Sequence, residues 1–202
     1  MLTRSFEPVE APPPGAGGAD ERALMARVGA GDAAAFGEIV KRHMQPVHAL
    51  AWRMLGDPAE AEDVVQESFV KLWVNAKGWA PTGGGLGAWL RRIAANACLD
   101  RLRRPRGVSD ALLAEHEDEC PPADVVIDAE RRRAAVAGAI RALPDRQRAA
   151  IVLTYQQGVS NAEAAAALGI GVKALESLLV RARQTLSATL RRQGLLPEGA
   201  QE

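Results

Sequence analysis

Apolar side chains recur at intervals of three and four residues along most of the chain from Asp32 onward, and alternating stretches typical of strands are few. This spacing gathers the apolar positions on one face of a helix. We therefore predict an all-α protein. In the first helical block, GDAAAFGEIVKRHMQPVHALAWRML, we expect Pro46 to bend or divide the helix, because proline lacks the backbone donor and clashes with the preceding turn.

The next helix is predicted to follow Gly56. Asp57 can cap it, Pro58 suits its first turn, and Glu60 has the spacing of a capping box. Its packing face comprises Ala61, Val65, Phe69, Leu72 and Ala76. The opposite face carries Glu60, Asp63, Glu67 and Lys71, flanked by Gln66 and Val70. Such an acidic face, taken alone, is more typical of solvation than of docking.

A loop and an arginine-rich helix come next. The stretch WAPTGGGLG at 79–87 cannot continue a helix, since Pro81 and three consecutive glycines favour an open loop. The helix AWLRRIAANACLDRLRR then ends before Pro105. Its predicted core stripe is Leu86, Trp89, Leu90, Ile93 and Ala97. A separate face carries Arg92, Asn96 and Arg103, with Arg91, Arg101 and Arg104 nearby, and on its own it fits either a solvated surface or a polyanion site.

Two segments lack helical periodicity. Residues 1–22, with APPPGAGGAD, are expected to be disordered, and residues 105–130 form a Pro- and acid-rich connector. We therefore predict two small helical domains, at 23–104 and 131–192, joined by a flexible acidic linker. Residues 193–202 are a tail.

The second domain has the pattern of a helix-turn-helix. After the approach helix DAERRRAAVAGAIRAL, a helix is predicted from Pro144 to Gly158, and SNAEAAAALG follows. Ser160 and Glu163 have capping-box spacing, while Ala165 and Gly169 suit a close approach and a tight turn. A plain helical hairpin fits this pattern about equally well.

The last helix is predicted to bury one stripe and to expose another. The buried stripe is Val172, Leu175, Leu179, Ala182 and Leu186. The outward row is Lys173, Ser177, Arg181 and Gln184, which offers donors suited to phosphates and base edges.

The distribution of charge along the chain supports the division into two domains. The net charge of zero is the sum of separate basic and acidic blocks. Residues 86–106 hold six arginines against Asp100, and residues 107–130 hold eight acidic residues without Lys or Arg. Residues 131–192 hold eleven basic residues against three acidic ones. Two basic modules therefore flank an acidic strip, as expected of a protein that meets nucleic acid at two places.

Other classes of function have little support. The two cysteines, Cys98 and Cys120, form no CxxC motif, and His43 and His48 lie near no cysteine or carboxylate cluster at ligand spacing. We expect no metal or other cofactor, no catalytic constellation, and Cys98 as a small buried hydrophobe. No signal pattern or apolar stretch long enough for a membrane helix is present, so a cytoplasmic protein without membrane insertion is predicted.

Three strings together carry a family resemblance: LGDPAEAEDVVQESFVKLW, AWLRRIAANACLDRLRR and LPDRQRAAIVLTYQQGVSNAEAAAALGIGVKALESLLVRAR. Over residues 23–192 and in this order, they resemble regions 2 and 4 of the extracytoplasmic-function (ECF) sigma factors of the sigma-70 family. The resemblance implies a non-enzymatic subunit that brings RNA polymerase core to promoters and helps to open them. A free-standing helix-turn-helix regulator and a protein-binding helical adaptor are the alternatives.

The resemblance also implies roles for individual residues. The acidic face, here Asp63, Gln66, Glu67 and Val70, would dock on the beta-prime clamp helices of the core. Asn96 would lie near a flipped-out minus-ten base, whose lost stacking must be offset by new contacts. Around it, phosphates would meet Arg91, Arg92, Arg101, Arg103 and Arg104. The minus-thirty-five element would be read by Lys173, Glu176, Ser177, Arg181 and Gln184.

Two family features bear on the recognition helix and on regulation. Glu176 and Leu178 replace basic residues that the family commonly has at the start of the recognition helix. Glu176 either accepts a hydrogen bond from a cytosine amino group or pairs with Lys173, and we favour the pair. The resemblance further implies an anti-sigma factor that sequesters the protein until a stress signal arrives.

Overall fold

The computed structural model describes residues 16–80, 84–104 and 123–196. These residues are largely helical, as the apolar spacing predicts. The helices are α1 (Ala16–Gly29), α2 (Ala33–Leu55), α3 (Pro58–Asn75), α4 (Gly85–Arg103), α5 (Ala123–Arg141), α6 (Asp145–Ile151), α7 (Asn161–Leu168) and α8 (Val172–Arg192). A 3-10 turn, Ala76–Gly78, follows α3, and a π-helical segment, Val152–Gln156, continues α6. Among the described residues, no helix is both long and apolar enough to cross a membrane.

Helices α2 and α3 begin at the predicted caps. Asp32 Oδ1 accepts from the amide of Ala34 at 2.9 Å, and Asp57 Oδ1 accepts from the amide of Glu60 at 3.0 Å. Helix α2 passes through Pro46 without a break, so of the two predicted effects, a bend or a division, the division does not occur. Burial of its apolar face in the bundle holds α2 together across the missing hydrogen bond.

Helix α1 begins inside the stretch 1–22 that was expected to be disordered. Its core-facing side chains, Leu24, Met25 and Val28, are buried against the other helices. Asp20 Oδ2 lies 2.6 Å from Arg42 Nη1 of α2, which adds a polar tie near the start of the helix. These contacts order a segment that composition alone predicted to be loose, while residues 1–15 lie outside the described ranges.

The first four helices enclose one half of the core. Within the predicted stripe of α4, Leu86, Leu90 and Ala97 are buried, whereas Trp89 and Ile93 are only half-buried. Cys98 is fully buried, as predicted, and this burial raises the pKa of its thiol to about 12. Cys98 is therefore a packing residue in the described structure.

The last four helices contain the predicted helix-turn-helix. Ser160 and Glu163 form a complete capping box at α7, and Gly169 ends that helix with φ +64°, a left-handed conformation that favours glycine. Val172 is 42% exposed rather than buried, because it is the first residue of α8 and lies beyond the edge of the core. Residues 105–122 of the predicted linker lie outside the described ranges, and α5 already begins at Ala123.

The two groups of helices pack against each other through one continuous cluster of buried apolar residues. The contact joins α4 to α7 and α6, and α2 to α5, α6 and the π-helical segment. Buried Arg148 of α6 donates from Nη1 to the carbonyl of Met54 at 2.5 Å. Arg53 of α2 donates to the carbonyl of Gln156 at 3.2 Å. The sequence pattern predicts two domains but not this closed arrangement of them.

Candidate nucleic-acid interface

One face of α4 presents the predicted polar row to solvent. Arg92, Asn96 and Arg103 are all exposed, and their spacing places them along a single side of the helix. Arg104, which caps the end of α4, is exposed as well. The row combines amide hydrogen-bonding groups with guanidinium donors, a combination suited to a nucleic-acid strand.

The other two predicted arginines of α4 contact protein groups. Arg101 is four-fifths buried, and its guanidinium lies 2.9 Å from Glu60 Oε2 and 3.0 Å from Glu67 Oε2. Arg91 Nη2 lies 3.8 Å from Glu163 Oε1 of α7. Both side chains therefore project away from the row, toward acidic residues on other helices.

A cleft of about 450 Å³ opens beside the row, between the end of α3 and the first turns of α4. It is lined by Val74, Asn75, Gly78, Trp79, Ala80, Trp89 and Arg92. The indole nitrogen of Trp79 is buried and has no hydrogen-bond partner among the described residues. Two indole rings and a guanidinium can together stack against and hydrogen-bond an unpaired base.

Sequence reasoning missed the aromatic part of this cleft. Trp89 was assigned to the core because it falls on the apolar stripe of α4, yet its ring is only half-buried and reaches the cleft. The positions of the two tryptophans in the sequence could have revealed the cleft, because Trp79 and Trp89 lie on the two sides of the glycine-rich loop.

The acidic face of α3 points away from the bundle. Asp63, Gln66 and Val70 are exposed, with Glu67 half-buried beside them. Hydrogen bonds from Lys71 Nζ at 2.7 Å and Arg101 Nη1 at 3.0 Å lower the pKa of Glu67. Glu67 is therefore held in its ionised form at neutral pH.

An apolar patch that the sequence pattern did not single out continues this face along α3. Val70, Trp73 and Val74 are 55%, 40% and 72% exposed. The ring of Trp73 is held edge-on against Phe36 of α2, at 5.1 Å between ring centroids. The acidic face and this patch together form a mixed surface of the type used in protein–protein contacts.

The outward face of α8 brings all five predicted residues together. Lys173, Glu176, Ser177, Arg181 and Gln184 line one shallow surface with Val180. In the described part of the chain, Glu176 forms no ion pair with Lys173, contrary to the pairing we favoured. Its carboxylate is exposed to solvent and faces the same way as the donors around it.

Helix α7 lies over the start of α4 in the closed arrangement. Besides the Arg91 contact, a Cβ atom built on Gly84 would meet Glu163 Oε1 at 3.1 Å, so the two helices approach closely at this glycine. One edge of the α4 surface is therefore covered by the second group of helices.

Comparisons with known proteins agree with this division. The family described as Sigma-70 region 2 matches residues 39–107, and the family described as Sigma-70, region 4 matches residues 133–186. Over 182 residues, the chain is 37% identical to the ECF RNA polymerase sigma factor SigM of Mycobacterium tuberculosis, covering 89% of this chain and 90% of that protein. It is 34% identical to the ECF RNA polymerase sigma factor SigW of Bacillus subtilis, covering 80% of this chain and 91% of that protein.

Two solved structures are similar across both groups of helices. CnrH in complex with the cytosolic domain of CnrY superposes with a TM-score of 0.63 at 33% identity, covering 85% of this chain and 97% of that one. RpoE of Bartonella quintana in complex with the anti-sigma factor NepR superposes with a TM-score of 0.62 at 26% identity, covering 77% and 96%.

Proposed function

The chain belongs to the ECF sigma factors of the sigma-70 family, and from this premise we propose how its surfaces direct RNA polymerase to promoters. Like other members of the family, it is a non-enzymatic RNA polymerase subunit for transcription initiation, with a DNA-binding region 4. The assignment of each surface to a partner, and a site of action in the cytoplasm, are our inferences.

We assign the cleft and the polar row of α4 to the non-template strand of the minus-ten element. A base turned out of the duplex loses stacking worth a few kcal/mol, roughly, which contacts in a pocket must offset. Stacking on Trp79 or Trp89 supplies such contacts, with Arg92 at the cleft and Asn96 one turn further along α4 as hydrogen-bonding groups. Arg103 and Arg104 then follow the phosphates. This cleft, bordered by aromatic rings and arginine, is the single observation that carries the proposal.

Arg91 and Arg101 have conditional or indirect roles in the proposed minus-ten interaction. Arg91 becomes available to phosphates only when α7 moves away from α4, since Glu163 now lies beside it. Arg101 acts mainly by holding Glu60 and Glu67 in place, and so it connects the DNA-binding helix to the surface on α3.

We assign the acidic face of α3 to the beta-prime clamp helices of the polymerase core. Asp63, Gln66 and Glu67 supply the polar contacts, and Val70 begins the apolar patch beside them. An interface with a buried apolar centre and charged groups around it has the composition of a specific protein contact.

We assign the outward face of α8 to the major groove of the minus-thirty-five element. An α-helix fits that groove, and Lys173, Ser177, Arg181 and Gln184 supply donors to phosphates and base edges. The exposure of Glu176 on this surface supports a hydrogen bond from a cytosine amino group rather than the intrahelical pair.

An anti-sigma factor completes the proposed set of partners. Both similar solved structures are complexes, one with the cytosolic domain of CnrY and one with the anti-sigma factor NepR. Their similarity to the closed arrangement of this chain supports a regulator that binds the closed form.

Run-off transcription with core polymerase tests the minus-ten assignment. Arg92→Ala and Asn96→Ala are each expected to lower transcript yield about ten-fold, because each removes a contact to the flipped base or its strand. Lys41→Ala, which removes an exposed basic side chain from α2, is the control and should keep full yield. Full yield from both α4 variants, with helical content unchanged, would contradict the assignment.

A further inference from the structure

Helix α4 begins at a glycine, which has no side chain to cap it. Gly84 occupies the cap position with φ +92°, and no side-chain hydrogen bond is formed there by the cap residue. Gly85 follows with φ +65°, a second left-handed residue. The first turn of α4 therefore needs a partner from elsewhere in the fold to satisfy its free amides.

That partner is Glu21 of α1. Its Oε2 accepts from the amide of Leu86 at 2.9 Å, across 65 positions in sequence, and its side chain is only 19% exposed. A carboxylate at this end of a helix also meets the positive end of the helix dipole. A Cβ atom on Gly85 would stand 2.8 Å from the same oxygen, so glycine at this position is what admits the carboxylate.

Helix α1, which supplies this capping carboxylate, is itself packed tightly against the rest of the fold. Met25 is 1% exposed, and the Cβ position of Gly29 lies 3.2 Å from Cα of Lys77 in the 3-10 turn. Helix α1 thus contacts the chain on both sides of residues 81–83: at Lys77 before them and at Leu86 after them. It also lies outside the segment 39–107 that matches region 2.

We propose that Glu21 is a positioning residue for promoter reading. By capping α4 from α1, it fixes the first turn of α4 and, one turn further on, the orientation of Trp89 and Arg92 in the cleft. This inference rests on the proposed minus-ten role of the cleft. The described partners of Glu21, Leu86 and His43, lie on α4 and α2, so the docking face on α3 is not expected to change.

The test compares two single-stranded probes that carry the non-template minus-ten sequence of a promoter used by this protein. One probe is intact and the other has an abasic site at the flipped position. The ratio of their affinities for the complex of this chain with core does not depend on the fraction of folded protein. A purely structural role for Glu21 would lower both affinities equally and leave the ratio unchanged.

Glu21→Ala is expected to reduce this ratio about five-fold, the factor that corresponds to one lost capping interaction. Glu21→Gln keeps an oxygen that can accept from Leu86 and should preserve most of the ratio. Asp20→Ala is the matched control, because it removes a neighbouring carboxylate of α1 that pairs with Arg42 and not with α4.

The outcomes separate the two proposals. An unchanged ratio in Glu21→Ala, or an equal loss in Glu21→Gln and Glu21→Ala, would overturn the positioning role of the capping hydrogen bond. If the wild-type complex itself binds both probes equally, the minus-ten assignment of the cleft fails instead.

Discussion

Arg91 and Arg92 are adjacent in sequence, yet they face different partners. Arg92 borders the aromatic cleft, whereas the side chain of Arg91 is four-fifths buried beside Glu163. Local spacing was enough to predict the row of Arg92, Asn96 and Arg103, since residues on one face of a helix repeat by geometry. It was not enough for Arg91, whose acidic partner lies on a helix far away in sequence.

A second residue with a contact across helices is His43. Burial lowers the pKa of His43; Glu21, 3.8 Å away, opposes this shift, while Arg91 and Arg42 add to it. The folded protein therefore takes up the proton less readily than the unfolded chain. The contribution of neutral His43 to the free energy of unfolding is fully present above about pH 6.5, the pKa of histidine in the unfolded chain. This contribution is lost as the pH falls from there toward the lower pKa of His43 in the folded protein.

We predict that the free energy of unfolding decreases between pH 7 and pH 5, with a contribution from His43 of at most about 1.4 kcal/mol per pH unit. Urea unfolding at a series of pH values measures it. His43→Gln should flatten the slope, and His48→Gln is the matched control. An identical slope in the wild type and in His43→Gln would contradict the assigned shift.

At the scale of elements, most helices could be predicted because their signals are local. Asp57 and Ser160 cap their helices as predicted, and Gly169 makes the predicted turn. Helix α1 could not be predicted in full, because its start lies in a Pro- and Gly-rich stretch and its order depends on tertiary contacts. The cleft was missed for a related reason: periodicity assigned Trp89 to the core, but its neighbour Trp79 comes from beyond the glycine-rich loop.

The recognition helix α8 provides a prediction of its own. Because the exposed carboxylate of Glu176 has no ion-pair partner among the described residues, we expect it to read a base directly. Glu176→Ala should relax the preference at one minus-thirty-five position by about ten-fold in a promoter library assayed with core. Glu130→Ala, which removes an exposed carboxylate from α5, is the control. A library preference that is unchanged at every position would exclude direct reading by Glu176.

At the scale of the whole molecule, the proposed assignments require that the two groups of helices separate, because the closed arrangement cannot reach both promoter elements. Their separation of roughly 25 base pairs corresponds to a distance on the order of 80 Å along the duplex. A closed globule of this chain length is only about 40 Å across. Promoter binding therefore requires α7 and α6 to leave α4 and α2, which also releases Arg91 from Glu163.

Energy transfer between two dyes measures this opening. Ala59→Cys on α3 and Ala188→Cys on α8 provide exposed attachment sites in a Cys120→Ser background, since the thiol of Cys98, with its pKa raised to about 12, stays unlabelled. Transfer should be high in the free protein and should fall on addition of core and promoter DNA. Equal transfer in both states would contradict the required separation.

The central claim is that this chain gives RNA polymerase core its choice of promoter. Mapping of transcript 5′ ends from genomic DNA, with purified core in the presence and absence of the chain, tests it most directly. We predict new start sites that appear only with the chain and share two sequence elements, about ten and about thirty-five base pairs upstream. Identical start sites with and without the chain, together with tight operator binding in the absence of core, would contradict the account and favour a free-standing helix-turn-helix regulator.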